Sequence, residues 1–150
     1  LFLELINGVP KGGVAFVLNP GDPGLLKSLD KLTAAPASPT TNGGASVAAH
    51  ADHLRYGLSL MNRWAAGENP WGDSDWNASW KKTRVSDAGW KELRSELARE
   101  SHKWCKLLEE PRDVDDTWLG AMIGSVVHFG YHAGAIRQID RAARGPSANE

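Results

Sequence analysis

At 150 residues, with 17 Lys and Arg against 18 Asp and Glu, the chain is sized for one domain with a real core. Its net charge of −1 lacks the basic excess that nucleic acid or an anionic membrane surface would require. The single cysteine, Cys105, excludes an internal disulfide and agrees with a reducing, cytoplasmic setting. No basic segment leads into an apolar one, so no export signal is read, in a chain that starts at Leu1 and not at Met.

In chain order, residues 1–7 read as the end of a short helix stopped by Gly8. Residues 10–23 are punctuated by Gly and Pro, with a short apolar run at 14–18 that reads as loop or extended chain. Asp22 as an N-cap with Pro23 behind it opens a first long segment of helix through Leu25, Leu26, Leu29 and Leu32, ending near Ala34. A loop rich in Pro, Ser, Thr and Gly follows over 35–44 and is too short to divide two domains. The predicted organisation is an N-terminal extension over 1–21 and a helical domain over 22–143.

The second helix is predicted over 45–66, where Val47, His50, Leu54, Gly57, Leu58, Met61 and Trp64 form an apolar stripe. His53 and Leu60 lie at the margin of that stripe, and Gly67 supplies the stop. The loop 69–85 then carries Trp71, Trp76 and Trp80, aromatics that pack down either as a plug for the end of the domain or as a lid over a cavity. Asn77-Ala78-Ser79 matches a glycosylation sequon, which has no weight without export. A third helix starts at the Ser86 cap and runs to about Glu110, with a seam of Trp90, Leu93, Leu97, Trp104 and Leu108. On it, Cys105 reads as a small packing residue and His102 as a solvated one.

Carboxylates over 113–116 are placed to cap the fourth helix, whose residues 118–136 carry no formal charge. At helical spacing His128 and His132 share a face with Ala121, Gly124, Ala135 and Ile139. The opposite face, with Met122, Ile123, Val126, Phe129 and Ala133, is apolar too, which predicts a helix buried all round at the centre of the fold. A membrane span is rejected despite the length and the GxxxG spacings at Gly120/Gly124 and Gly130/Gly134. Histidines are costly in lipid, and the other helices have the polar outer faces of a bundle in water. The four segments, three of them long and joined by short connections, predict an all-α four-helix bundle.

In such bundles metal sites are built from inward side chains of neighbouring helices. The His128/His132 pair alone would more often be a pair of hydrogen-bonded core histidines, so a third ligand is needed before a metal is favoured. The second helix offers His50, nearer the centre of its apolar stripe, and His53 beside it. Four of the five histidines fall on inner or near-inner positions, which favours a metal site.

The segments SVAAHADHLRYGLSLMNRW and VVHFGYHAGAIRQI, with His53 and His128 75 positions apart, resemble the DinB/YfiT-like superfamily of metalloenzymes. The resemblance implies a four-helix bundle with one histidine on the second helix and an HxxxH pair on the last. Alignment through His53-Leu54 assigns His53, His128 and His132 as ligands of a divalent ion (Zn, Ni or Fe), with His50 as an alternate or supporting group. HAGAI resembles the ending His-x-Gly-Gln-Ile of that family, with Ala135 in place of the glutamine. Members with known activity include enzymes that use low-molecular-weight thiols such as mycothiol, bacillithiol or glutathione, and the family often forms dimers. The expectation is therefore a cytoplasmic metalloenzyme acting on a small-molecule substrate. It would be a thiol-dependent transferase or isomerase and a homodimer, with no nucleic-acid or membrane partner. HFGYH lacks the glutamate of a metalloprotease helix, which leaves Tyr131 and Asp52 as candidate polar assistants. Two other readings stand beside it, a non-catalytic binder of small apolar ligands and a structural or stress-associated bundle.

Overall fold

The computed structural model describes residues 1–40 and 43–144, and among these there are helices and turns but no strand. The fold is all-α, as the periodicity predicts. Its helices are α1 (Phe2–Asn7), α2 (Gly24–Asp30), α3 (Ala34–Ala37), α4 (Val47–Ala65), α5 (Asp87–Glu109) and α6 (Asp116–Ile139). Two short 3-10 turns, Ala78–Trp80 and Arg141–Ala143, complete the order. No helix among the described residues is long and apolar enough to cross a membrane.

The three long helices start where their caps lie. Ser46, Ser86 and Asp115 each accept from a backbone N–H three residues on, Ala49, Gly89 and Trp118, and so satisfy a donor that the helix leaves free. Gly67, with φ +89°, follows the end of α4 in the left-handed conformation that glycine adopts most readily. The segment predicted as one helix from Pro23 to Ala34 is shorter. α2 ends at Asp30, and the Leu32 carbonyl beyond it accepts from the Trp90 indole N–H of α5 at 2.7 Å. The loop predicted over 35–44 begins inside the short α3, and its residues 41 and 42 lie outside the described residues.

α4 is the element on which both other long helices pack. Eight consecutive residues at its start, from Val47 to Leu54, are buried. Three of them are Ala48, Ala49 and Ala51, whose small side chains let neighbours approach on several sides. α1 and α2 pack on each other and on α6 and α5. Gly8 and Gly24, both at positive φ, let the end of α1 touch the start of α2 backbone to backbone, where a Cβ on either would collide with main-chain atoms. Asp22, at that junction, accepts from Gly24 N–H at 2.8 Å and from the Arg137 guanidinium at 2.7 Å, which ties α6 to the N-terminal segment. The core between these elements includes Leu5, Leu29, Leu54, Leu97, Trp104 and Phe129.

α6 departs from its predicted place at the centre. Only Phe129, His132, Ala133 and Ile136 of its 24 residues are buried. Leu119, Ile123, Val127 and Tyr131, each four residues from the next, form a stripe that is 49% to 70% exposed. The helix is apolar on every side, but the described residues supply close neighbours for one side only, and apolar composition does not create them.

Candidate metal centre

The site is built where α4 packs on α6. His50 and His53 are three apart on α4, and His128 and His132 are four apart on α6, so each pair projects from one side of its helix. His128 Nε2 lies 3.1 Å from His53 Nε2 and 3.0 Å from His132 Nε2. One nitrogen from each of His53, His128 and His132 lies within 4.8 Å of the other two, a cluster that could hold a metal ion. His50 stands outside this trio, with its Nδ1 2.9 Å from His132 Nδ1 on the far side of that ring.

Hydrogen bonding fixes one tautomer. Ser79 Oγ donates its only proton to the Trp76 carbonyl at 2.7 Å, so it can only accept from the His53 Nδ1, 2.8 Å away. By that assignment Nδ1 of neutral His53 carries the proton, and its Nε2 presents a bare lone pair to His128. At the other end, a proton on His132 Nδ1 donated to His50 leaves His132 Nε2 bare in the same way. A neutral His128 has one proton to offer two facing nitrogens, whereas a cation would satisfy all three lone pairs together. The donor set is therefore one that could hold a metal ion.

Electrostatics favour the form that ligates. Burial pushes the His132 imidazole down to about 3, reinforced by His128, His53 and His50. Burial likewise lowers His53 to about 4, with His128 and His50 adding to the effect and Asp52 opposing it. His50 and His128 are shifted down by burial as well. Such rings are neutral at pH 7, as metal binding requires.

The tryptophan loop lies over this cluster. Trp80 stacks on His53 with ring centroids 4.1 Å apart and 24° between planes, and its ring is 5.4 Å from His50 and 5.6 Å from His132. Trp76 is 5.6 Å from His53 on another side. The two candidate assistants are engaged elsewhere or turned outward. Asp52 is buried against Arg55 at 2.8 Å and Lys82 at 3.5 Å, an ion-paired group and not a solvated one. Tyr131 sets its ring at 4.9 Å to the His132 ring, edge to face, but is largely exposed. Cys105 is buried on α5, where burial and then the Glu109 carboxylate raise its thiol, as suits a packing residue.

Ser79 is the site residue that sequence reasoning passes over. Its only local signal is the sequon Asn77-Ala78-Ser79, which points to a glycan and not to an imidazole. No family model, no curated protein and no solved structure matches the chain, so the argument for function rests on the site's own chemistry.

Proposed function

We propose that this chain is a metal-dependent enzyme of the DinB/YfiT-like type, a four-helix-bundle scaffold in which His53, His128 and His132 hold a Zn, Ni or Fe ion. The observation that carries the reading is the convergence of three neutral imidazoles, one with its tautomer locked by Ser79. Three imidazoles are fewer ligands than such an ion takes, so room remains for water, a thiol or a substrate. When bound, the ion supplies the Lewis acidity that favours a thiolate or hydroxide near neutral pH. The chain's own residues do the rest. Ser79 orients His53, His50 backs His132, and Trp80 covers one face of the cluster. We assign the reaction class as transfer or isomerisation dependent on a low-molecular-weight thiol.

Calorimetric titration of glutathione, bacillithiol and mycothiol into ion-loaded protein tests the thiol assignment. Heat of binding for at least one, lost in ion-stripped protein and in His128→Ala, is expected. Equal heats with and without the ion, or none for all three, would sink it.

The proposal includes a homodimer. The exposed stripe Leu119, Ile123 and Val127 carries no charge for a charged partner to recognise, whereas a two-fold pairing sets the same apolar stripe against itself.

A further inference from the structure

Beside the histidine cluster, between α4, α6 and the tryptophan loop, lies a slot of about 210 Å³. Leu58 and Met61 of α4 wall one side, Ala121 and Gly124 of α6 the other, and Trp71 and Trp76 come from the loop. Among the described residues, His128 is the one ionisable group in its lining. The other polar side chain there is Ser125, whose hydroxyl proton is already donated to the Met122 carbonyl at 2.8 Å.

Gly57 sets the inner end. A Cβ at that position would stand 3.6 Å from the Trp76 ring and 3.7 Å from His128 Cε1, so both rings close down on the α4 backbone there. Cε1 is bonded to Nε2, the His128 nitrogen that faces His53 and His132. An occupant of the slot therefore abuts the same ring that belongs to the cluster, one atom from its ligating nitrogen.

We propose that this slot is the subsite for the apolar part of the substrate, a single aromatic ring or a short uncharged alkyl group, with the reacting end at His128. Placing that end beside an ion rests on the metal reading above; the slot itself does not. A charged group would lose its hydration among these walls with no counter-ion to replace it. Size agrees as well, since a dry cavity of about 150 Å³ accepts benzene, so this one holds a ring with a short substituent. Two tryptophan walls suit a flat occupant.

The test uses toluene, benzoate and benzylamine as probes, tryptophan fluorescence and calorimetry as readouts, and ion content measured on the same samples. Gly124→Leu is the blocking variant. A Cβ there meets nothing within 4 Å, and Leu is the better helix former, so the fold and the ion site are kept. Trp71→Ala, which removes a partly exposed wall, is a second variant with the same expected direction. Toluene should bind wild-type protein one to one, loaded or ion-free, and weaken about tenfold or more in either variant. Benzoate and benzylamine should bind about tenfold or more weaker than toluene. No toluene binding to the wild type, undiminished binding to Gly124→Leu, or benzoate binding ion-free protein as tightly as toluene does would overturn the subsite. Toluene binding by a wild-type protein that holds no ion and takes up none on dialysis against zinc, nickel or iron would overturn the metal reading and leave the slot standing.

Discussion

α4 and α6 carry the two halves of the histidine cluster, yet they are buried in opposite ways. α4 has eight consecutive buried residues at its start, two of them histidines and one an aspartate. α6, without a charged side chain from Trp118 to Ile136, leaves a full apolar stripe in the open. Burial is set by the neighbours a helix finds, and hydrophobic composition is an indirect guide to them. The alanines of α4 let α5, α6 and the turn Ala78–Trp80 all come close. The leucine, isoleucine and valine on the outer side of α6 meet no comparable partner among the described residues.

Leu54→Ala on α4 against Ile123→Ala on α6 tests that contrast with the largest expected effect. The first opens a cavity in the core and should cost about 2–5 kcal/mol in urea denaturation, while the second, measured at a dilution where the chain is monomeric, should stay within about 0.5 kcal/mol. Comparable losses at the two positions at that dilution would mean that the α6 stripe is covered within the chain itself.

Arg137→Met probes how α6 is held at its far end. It leaves the Asp22 carboxylate buried with only the Gly24 N–H as a partner, and should cost about 2–3 kcal/mol because a buried charge is left uncompensated. A change below about 0.5 kcal/mol would show that the ion pair does not anchor the helix.

Ser79→Ala moves the question from stability to ligation. It frees the His53 tautomer and should weaken ion binding about 10–100-fold in a chelator competition, with helical circular dichroism unchanged. Unaltered affinity would remove Ser79 from the site.

The smallest effect on stability is expected from Ile123→Asp, again within about 0.5 kcal/mol. The same variant should convert the proposed dimer to monomer in sedimentation velocity. A wild-type chain that is monomeric at the highest concentrations used would end the homodimer proposal.

What the sequence made legible is what neighbours in the chain decide. The caps at Ser86 and over 113–116, the stop at Gly67 and the 3.6-residue periodicity of α4 and α5 all act locally, and the helices begin and end close to where those signals lie. The histidines that meet could be nominated from spacing on two helices. The helical wheel of α4 alone centred His50, however, because it cannot show which side faces α6. The packed structure sets His53 in the trio and His50 behind His132. Contacts between distant residues left no local trace. Glu4 accepts from the N–H groups of Phe16, Val17 and Leu18 and holds the 14–18 run as a loop, and Ser79 reaches His53 across 26 positions. The exposed side of α6 differs from its predicted burial for the same reason, since the packing neighbours of a helix leave no mark on the helix itself.

The ion is the central claim, and elemental analysis tests it most directly. The untagged wild-type protein and its His53→Ala, His128→Ala, His132→Ala and His50→Ala variants would be purified without added metal. The account predicts about one divalent ion per chain in the wild type, near none in the first three variants, and a weakened but present ion in His50→Ala, all with helical content retained. A metal-free wild type that also fails to take up zinc, nickel or iron on dialysis, or full occupancy surviving in His128→Ala, would contradict it.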